Sequence, residues 1–313
     1  MEGKLAFVFP GQGSQKTGML EDLASIHPVI ASTFAEASES LGYDLWEMVQ
    51  HGTQDEINLT ERTQPLMLAA SVAIWRLWQE CRGRMPSQLA GHSLGEWSAL
   101  VCSNVIDLSS ALKIVRQRGA LMQTAVPLGE GTMAAILGLD DEVILEICAN
   151  TNLEKDGEVS AVNFNAPGQV VIAGSAPSVE IAIRLCKAAG AKRALALPVS
   201  APFHTKLMTP AAEGLEQLVD STSFCVPQIP VIHNIHGKQE SDPQQIKRLM
   251  LEQIYNPVRW VSCVHELRAN GAEIFVECGP GRVLGGLIKR IDKQLVSFST
   301  DDCVSFDVAI ASA

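Results

Sequence analysis

Nowhere in the 313 residues does an apolar run approach the roughly eighteen needed for a membrane-spanning helix. The first such run, Leu5 to Phe9, stops at Pro10, too short for a span or the core of a secretory signal. A cytoplasmic location is therefore expected. The eight cysteines, at 81, 102, 148, 186, 225, 263, 278 and 303, form no Cys-x-x-Cys pair. With no clustered histidines beside them, neither a zinc site nor a disulfide framework is indicated, and reduced, mostly buried thiols are expected. Basic charge is also scarce: 24 Lys and Arg against 35 Asp and Glu give a net charge of −11. That balance excludes a general nucleic-acid or membrane-surface binder, since polyanions are repelled at long range. The Gly-x-Gly of Pro10-Gly11-Gln12-Gly13-Ser14-Gln15 has neither the third glycine of a dinucleotide fingerprint nor a Gly-Lys-Ser/Thr of a phosphate loop.

What is present is a chain that is 47% hydrophobic, long enough for one large domain carrying a smaller one. Its focus is Gly91-His92-Ser93-Leu94-Gly95. Glycines two before and two after a serine suit a sharp strand-to-helix turn that pushes the hydroxyl into the open, the geometry of a nucleophile elbow. The pentapeptide alone equally fits a glycine-rich turn whose serine caps a helix. Residues 5–9 read as a buried strand of a parallel sheet, 87–92 as the strand feeding the elbow, and 94–102 as the helix after it. A helix is expected over 65–80, with Trp75, Leu77 and Trp78 in the core.

On the helix expected from Ser109, its predicted N-cap, to Met122, Arg118 falls in the middle of the apolar arc formed by Ala111, Leu112, Ile114, Val115, Leu121 and Met122. A buried cation needs a counter-charge. Either an internal acid supplies it or the substrate brings a carboxylate.

From residue 132 the pattern changes to βαββαβ, a ferredoxin-like unit whose termini can lie close together, as an insertion requires. The fold class expected is thus α/β, an α/β-hydrolase-like large domain at 1–124 and 200–313 with a ferredoxin-like domain inserted at 125–199. Re-entry through Ser200-Ala201-Pro202-Phe203-His204 places His204 on the domain border, which makes it the best-placed general base. His233 and His236 read as structural. Further helices are expected over 242–256, ended by Pro257, over 258–270 and over 283–291. Strands are expected over 272–278 and 294–299, and the tail beyond carries no clear signal.

Taken together, FVFPGQGSQ (7–15), TQPLMLAAS (63–71), GHSLGEWSALV (91–101), RQRGALMQ (116–123), VNFNAPGQVVIAG (162–174), PVSAPFHT (198–205), EQIYNPVRW (252–260) and FVECGPGRVLGGL (275–287) carry a resemblance across nearly the whole chain. The sequence resembles the malonyl-CoA:acyl-carrier-protein transacylases of bacterial fatty acid synthesis. The resemblance implies Ser93 as nucleophile, His204 as its general base, and the backbone N–H groups of Gln12 and Leu94 as the oxyanion hole. It also implies that the Gln253 carbonyl orients the histidine and that Arg118 grips the free malonyl carboxylate. Phe203 resembles the bulky residue that disfavours an α-methyl branch. Malonyl-CoA and acyl carrier protein are the implied partners, with no metal or other cofactor, and a monomer is expected. An acidic carrier would need local basic residues, for which Lys187, Lys192, Arg193, Lys289, Arg290 and Lys293 are candidates. The alternatives are a serine hydrolase of the α/β-hydrolase type, which usually places its histidine near the C-terminus, and a non-catalytic scaffold.

Overall fold

The computed structural model describes residues 3–154, 157–199 and 201–313. Among the described residues ten strands follow in order: β1 (Lys4–Phe9), β2 (Gln88–Gly91), β3 (Gly131–Leu137), β4 (Val159–Ala166), β5 (Gln169–Ser175), β6 (Arg193–Ala196), β7 (Val231–His233), β8 (Lys238–Gln239), β9 (Ala272–Glu277) and β10 (Val296–Ser299). They form two sheets in a two-domain α/β fold. The large sheet runs β10-β9-β1-β2-β7-β8, parallel throughout except where β8 turns back on β7.

The central strands are covered on both faces. Leu5, Phe7 and Phe9 of β1 enter one apolar cluster, while Ala6 and Val8 enter another on the opposite side. This period-two split is what a helix-covered parallel sheet requires of a continuous apolar run. Phe7 meets Trp75 and Trp78 edge-on, at centroid distances of 5.5 and 5.0 Å, which places both tryptophans in the core.

The second sheet is antiparallel, in the order β4-β5-β3-β6. Helices Asp141–Glu154 and Ala176–Ala188 complete its βαββαβ sequence. Ile144, Cys148, Val179, Ala182 and Cys186 pack on one face of this sheet, whereas Met133, Val162, Val171 and Ala173 on the other pack toward Leu197, Val199 and Phe203. The second face is therefore turned to the chain leading into His204. The domains are joined by backbone: Val258 N–H donates to Val162 and Phe164 N–H donates to Val258, at 2.8 and 3.0 Å. The predicted boundary at Ser200 lies outside the described residues.

Several element limits differ from those read in the sequence. The helix expected from 65 begins at Thr60 and holds Pro65 inside it; the Thr63 hydroxyl, donating to the Ile57 carbonyl at 2.6 Å, ties down its first turn. The helix carrying Arg118 spans Leu108–Thr124 and is capped by Asp107, which accepts from Ser110 N–H at 2.8 Å, rather than by Ser109. The tail forms a helix, Cys303–Ser312, capped by Asp302 and anchored by Phe306 and Ala309. The helix expected over 242–256 covers Pro243–Glu252 and tightens into a 3-10 turn, Gln253–Tyr255. In a continued α-helix the Gln253 carbonyl would accept from residue 257, which is proline and has no N–H to give. That carbonyl is left for another donor.

The elbow depends on crowding between β1, β2 and the helix Gly95–Cys102. A Cβ on Gly95 would sit 2.0 Å from the Phe9 carbonyl oxygen, and one on Gly91 would sit 1.9 Å from the Gly95 carbonyl carbon. Gly286, inside the helix Val283–Ile291, has open space instead. Gly95→Ala is therefore expected to cost about 2–3 kcal/mol by overpacking and to lower the thermal midpoint. Gly286→Ala should leave the midpoint unchanged or raise it. Circular-dichroism melts check both, and an unaltered midpoint for Gly95→Ala would contradict the crowding.

Candidate active site

Ser93 stands just past β2 with φ 51°, in the left-handed region that a non-glycine residue enters only under constraint. Asn234, directly after β7, supplies much of that constraint. Its side-chain oxygen accepts from Ser93 N–H at 2.7 Å and its amide donates to the Gly91 carbonyl at 2.7 Å. The next donors along the turn, Leu94 N–H and, from the loop after β1, Gln12 N–H, have no partner among the described residues.

His204, buried and at φ 65°, reaches the elbow from the domain border. Its Nε2 lies 2.8 Å from Ser93 Oγ and its Nδ1 lies 2.8 Å from the Gln253 carbonyl oxygen. A carbonyl only accepts, so Nδ1 carries the proton and Nε2 is left to accept from the serine. The Gln253 carbonyl freed by Pro257 is thus the one that fixes the tautomer. Burial, reinforced by the positive Arg118, lowers the His204 pKa from its ordinary value to about 3. The ring is held neutral.

Arg118 is 1% exposed. Its guanidinium donates to Gln64 Oε1 at 2.8 Å and to Gln253 Oε1 at 3.0 Å, with Ser93 Oγ at 3.5 Å, while its Nε has no partner among the described residues. No carboxylate is paired with it among those residues. Burial lowers its pKa to about 10, and the negative Glu96 works in the opposite direction. The guanidinium stays charged at neutral pH, with a donor to spare.

Ser93, His204, Arg118, Gln12 and Leu94 line one cavity of about 140 Å³, closed by Met122, Met133, Leu197, Val199 and Phe203. At Gln12, Leu197, Val199 and Phe203 this cavity meets an outer cleft of about 640 Å³, along which Gln15, Gln54, Asn58 and Gln123 present side-chain amides. A small acyl group fits the inner space, and a long amide-bearing arm fits the outer one. Every site residue singled out in the sequence is at this cavity or, in the case of Gln253, directly behind it.

Sequence reasoning passed over Gln64, Glu96, Asn165 and Asn234. Asn165 Oδ1 accepts from His92 Nε2 at 2.7 Å, next to the Ser93 turn. Glu96 is a charged residue in the otherwise largely apolar helix Gly95–Cys102, the one signal the sequence offered for it, whereas Gln64 follows the polar start of its helix and carried none. His233, read as structural, has its Nδ1 2.6 Å from Glu96 Oε1 and is fully buried. Among the described residues no group of three or more His, Cys, Asp or Glu could hold a metal ion. Of the basic candidates, Arg193 pairs across β6 and β3 with Leu137, Leu137 pairs with Gln169, and Arg290 donates to Gln169. Those two arginines therefore share one end of the small sheet. No helix among the described residues is long and apolar enough to cross a membrane.

Known proteins resemble the chain over its whole length. The family model for the acyl transferase domain matches residues 6–301. The malonyl CoA-acyl carrier protein transacylase of Salmonella typhimurium is 50% identical, over 98% of this chain and 99% of its own length, and that of Escherichia coli K12 is 51% identical over 96% of both. Among solved structures, an acyl carrier protein S-malonyltransferase from Vibrio cholerae superposes with a TM-score of 0.95 at 55% identity, covering 97% of this chain and 99% of that one. A malonyl-transacylase in complex with its type II PKS acyl-carrier protein superposes at 0.97 with 52% identity, covering 99% and 100%. With Ser93, His204 and an acid-free Arg118 facing one cavity, the chain belongs to the acyl transferase domain family, among the malonyl CoA-acyl carrier protein transacylases.

Proposed function

We propose that this protein moves a malonyl group from malonyl-CoA to the phosphopantetheine thiol of acyl carrier protein, through a malonyl ester on Ser93, in cytoplasmic fatty acid synthesis. The observation that carries this reading is an arginine buried beside the serine and histidine with no acid of its own. A simple ester hydrolase has no use for such a group. A scaffold has no use for the paired serine and histidine.

Each step follows from a named atom. As Ser93 Oγ attacks the thioester carbonyl, its proton passes to His204 Nε2, which the Gln253 carbonyl has left free to accept. The carbonyl oxygen becomes an oxyanion between the N–H groups of Gln12 and Leu94, each such donor typically contributing about 3 kcal/mol. Collapse breaks the carbon–sulfur bond, and His204 returns the proton to the departing CoA thiolate. The second half runs in reverse with the carrier thiol as nucleophile. His204 takes the thiol proton, the sulfur attacks the ester carbonyl, and Ser93 leaves with that proton. The Ser–His pair supplies all the acid–base chemistry, so no cofactor is needed beyond the substrate and the carrier's own arm.

Selectivity rests on Arg118. A malonyl carboxylate would accept from the guanidinium and pair with it at close range, while an acetyl group offers it no charged partner in the cavity. The apolar wall of Met122, Met133, Leu197, Val199 and Phe203 limits the water that would hydrolyse the ester. We take 1–124 with 200–313 as the large domain and 125–199 as the inserted one. On that division the small domain roofs the acyl cavity.

Assay of purified protein with malonyl-CoA and acyl carrier protein is expected to give malonyl-carrier; release of free malonate would favour a hydrolase, and no turnover a scaffold. For Arg118→Ala, malonyl transfer should fall by about 2–5 kcal/mol in kcat/KM, on the order of a hundredfold or more, with acetyl transfer spared or raised. Equal losses for both acyl groups would leave the arginine a structural residue. Because His204 titrates far below its ordinary value, acylation by malonyl-CoA should hold its kcat/KM as pH falls from about 7.5 to about 5.5. An inflection at the ordinary histidine value would contradict the buried, neutral ring. The same shift makes folding stability decline as pH drops from 6.5 toward 3, since the unfolded chain binds a proton there that the native ring does not.

A further inference from the structure

A guanidinium as buried as that of Arg118 is held here by two neutral amides, Gln64 and Gln253, and a lone buried cation is too costly to stand without a compensating charge nearby. The carboxylate that acts on it is Glu96, 1% exposed, in the first turn of the helix behind the elbow. Glu96 accepts from His233 Nδ1 at 2.6 Å, from Asn234 N–H at 3.0 Å and from Gln253 Nε2 at 2.8 Å. The Gln253 amide therefore stands between the two charges, donating to Glu96 with its nitrogen and accepting from Arg118 with its oxygen. Its orientation is not ambiguous. Nε2 faces three acceptors, Glu96 Oε2, the Ser93 carbonyl and Asn234 Oδ1, whereas Oε1 faces only the guanidinium.

We infer that Glu96 is the counter-charge of Arg118, applied through the Gln253 amide, and that it sets how tightly the site holds a substrate carboxylate. The inference rests on the proposed role of Arg118 as carboxylate clamp and deepens it. A direct Arg–Glu pair would occupy the donors the substrate needs. With no counter-charge at all, the cavity would be an anion trap, slow to surrender the malonyl group to the carrier. One interposed amide gives an intermediate strength. The empty cluster is balanced, and an arriving carboxylate gains the guanidinium at close range while meeting residual repulsion from Glu96 farther away.

Glu96→Gln tests this with little change of shape. His233 Nε2 is buried without a partner among the described residues, so its ring can change tautomer and accept from the new amide. Malonate binding followed by calorimetry in low-chloride buffer is expected to tighten about tenfold, the order expected when one like charge leaves a buried, partly screened site. The variant's thermal midpoint should fall without malonate and recover with it. A residue with a merely structural role would not raise anion affinity when substituted, so unchanged or weaker malonate binding overturns the inference. Gln253→Glu, which sets a carboxylate directly against the guanidinium, carries the test should Glu96→Gln fail to fold. It is expected to weaken malonate binding by about a hundredfold or more, and wild-type affinity would overturn the relay. Wild-type protein that neither binds malonate nor transfers malonyl would sink the clamp itself and this inference with it. A wild type that does both, beside variants that bind malonate unaltered, would sink the relay alone.

Discussion

Gln253 is bonded to each of the three residues whose side chains the proposed chemistry uses. Its carbonyl accepts from His204, its side-chain oxygen accepts from Arg118, and its side-chain nitrogen donates to the Ser93 carbonyl. The residue is wholly buried in a 3-10 turn whose position is set by Pro257, the proline that denies its carbonyl a helical partner. A neutral carbonyl behind the imidazole fixes the tautomer without adding the negative charge that an aspartate would bring beside a site proposed to receive an anion. That choice is compatible with Arg118 remaining charged and unpaired, and it leaves His204 neutral under the influence of burial and the neighbouring cation.

The two domains divide the work by face. The parallel sheet presents the turns after β1, β2 and β7 at one edge, which brings Gln12, Ser93 and Asn234 together, as loops after parallel strands generally gather in such folds. The antiparallel sheet uses one face for its own helices and the other, through Met133, Val162, Val171 and Ala173, to pack toward the segment that carries Phe203 and His204. Backbone pairing of β4 with Val258 ties that roof to the large domain within a few residues of Gln253.

Much of this was legible in the chain because it depends on local constraints. The glycine spacing about Ser93 encodes close backbone approach, the helical phase of Arg118 encodes its burial, and the βαββαβ pattern encodes the inserted domain. What escaped the sequence depends on contacts between distant segments. Glu96 and Asn234 are 138 positions apart and join only when β7 lies beside β2, so neither shows a periodicity of its own. The helix Cys303–Ser312 was missed because its apolar residues lie around much of its circumference; Val304 and Val308 are exposed while Phe306 and Ala309 are buried. The start at Thr60 was hidden by Pro65, which marks a boundary more often than an interior position.

The most direct test of the account is intact-mass spectrometry of the protein after brief exposure to malonyl-CoA, with the modified residue mapped. A single malonyl addition on Ser93, discharged when acyl carrier protein is added, is the predicted result. An adduct on any other residue, or one that forms equally on Ser93→Ala, would contradict it.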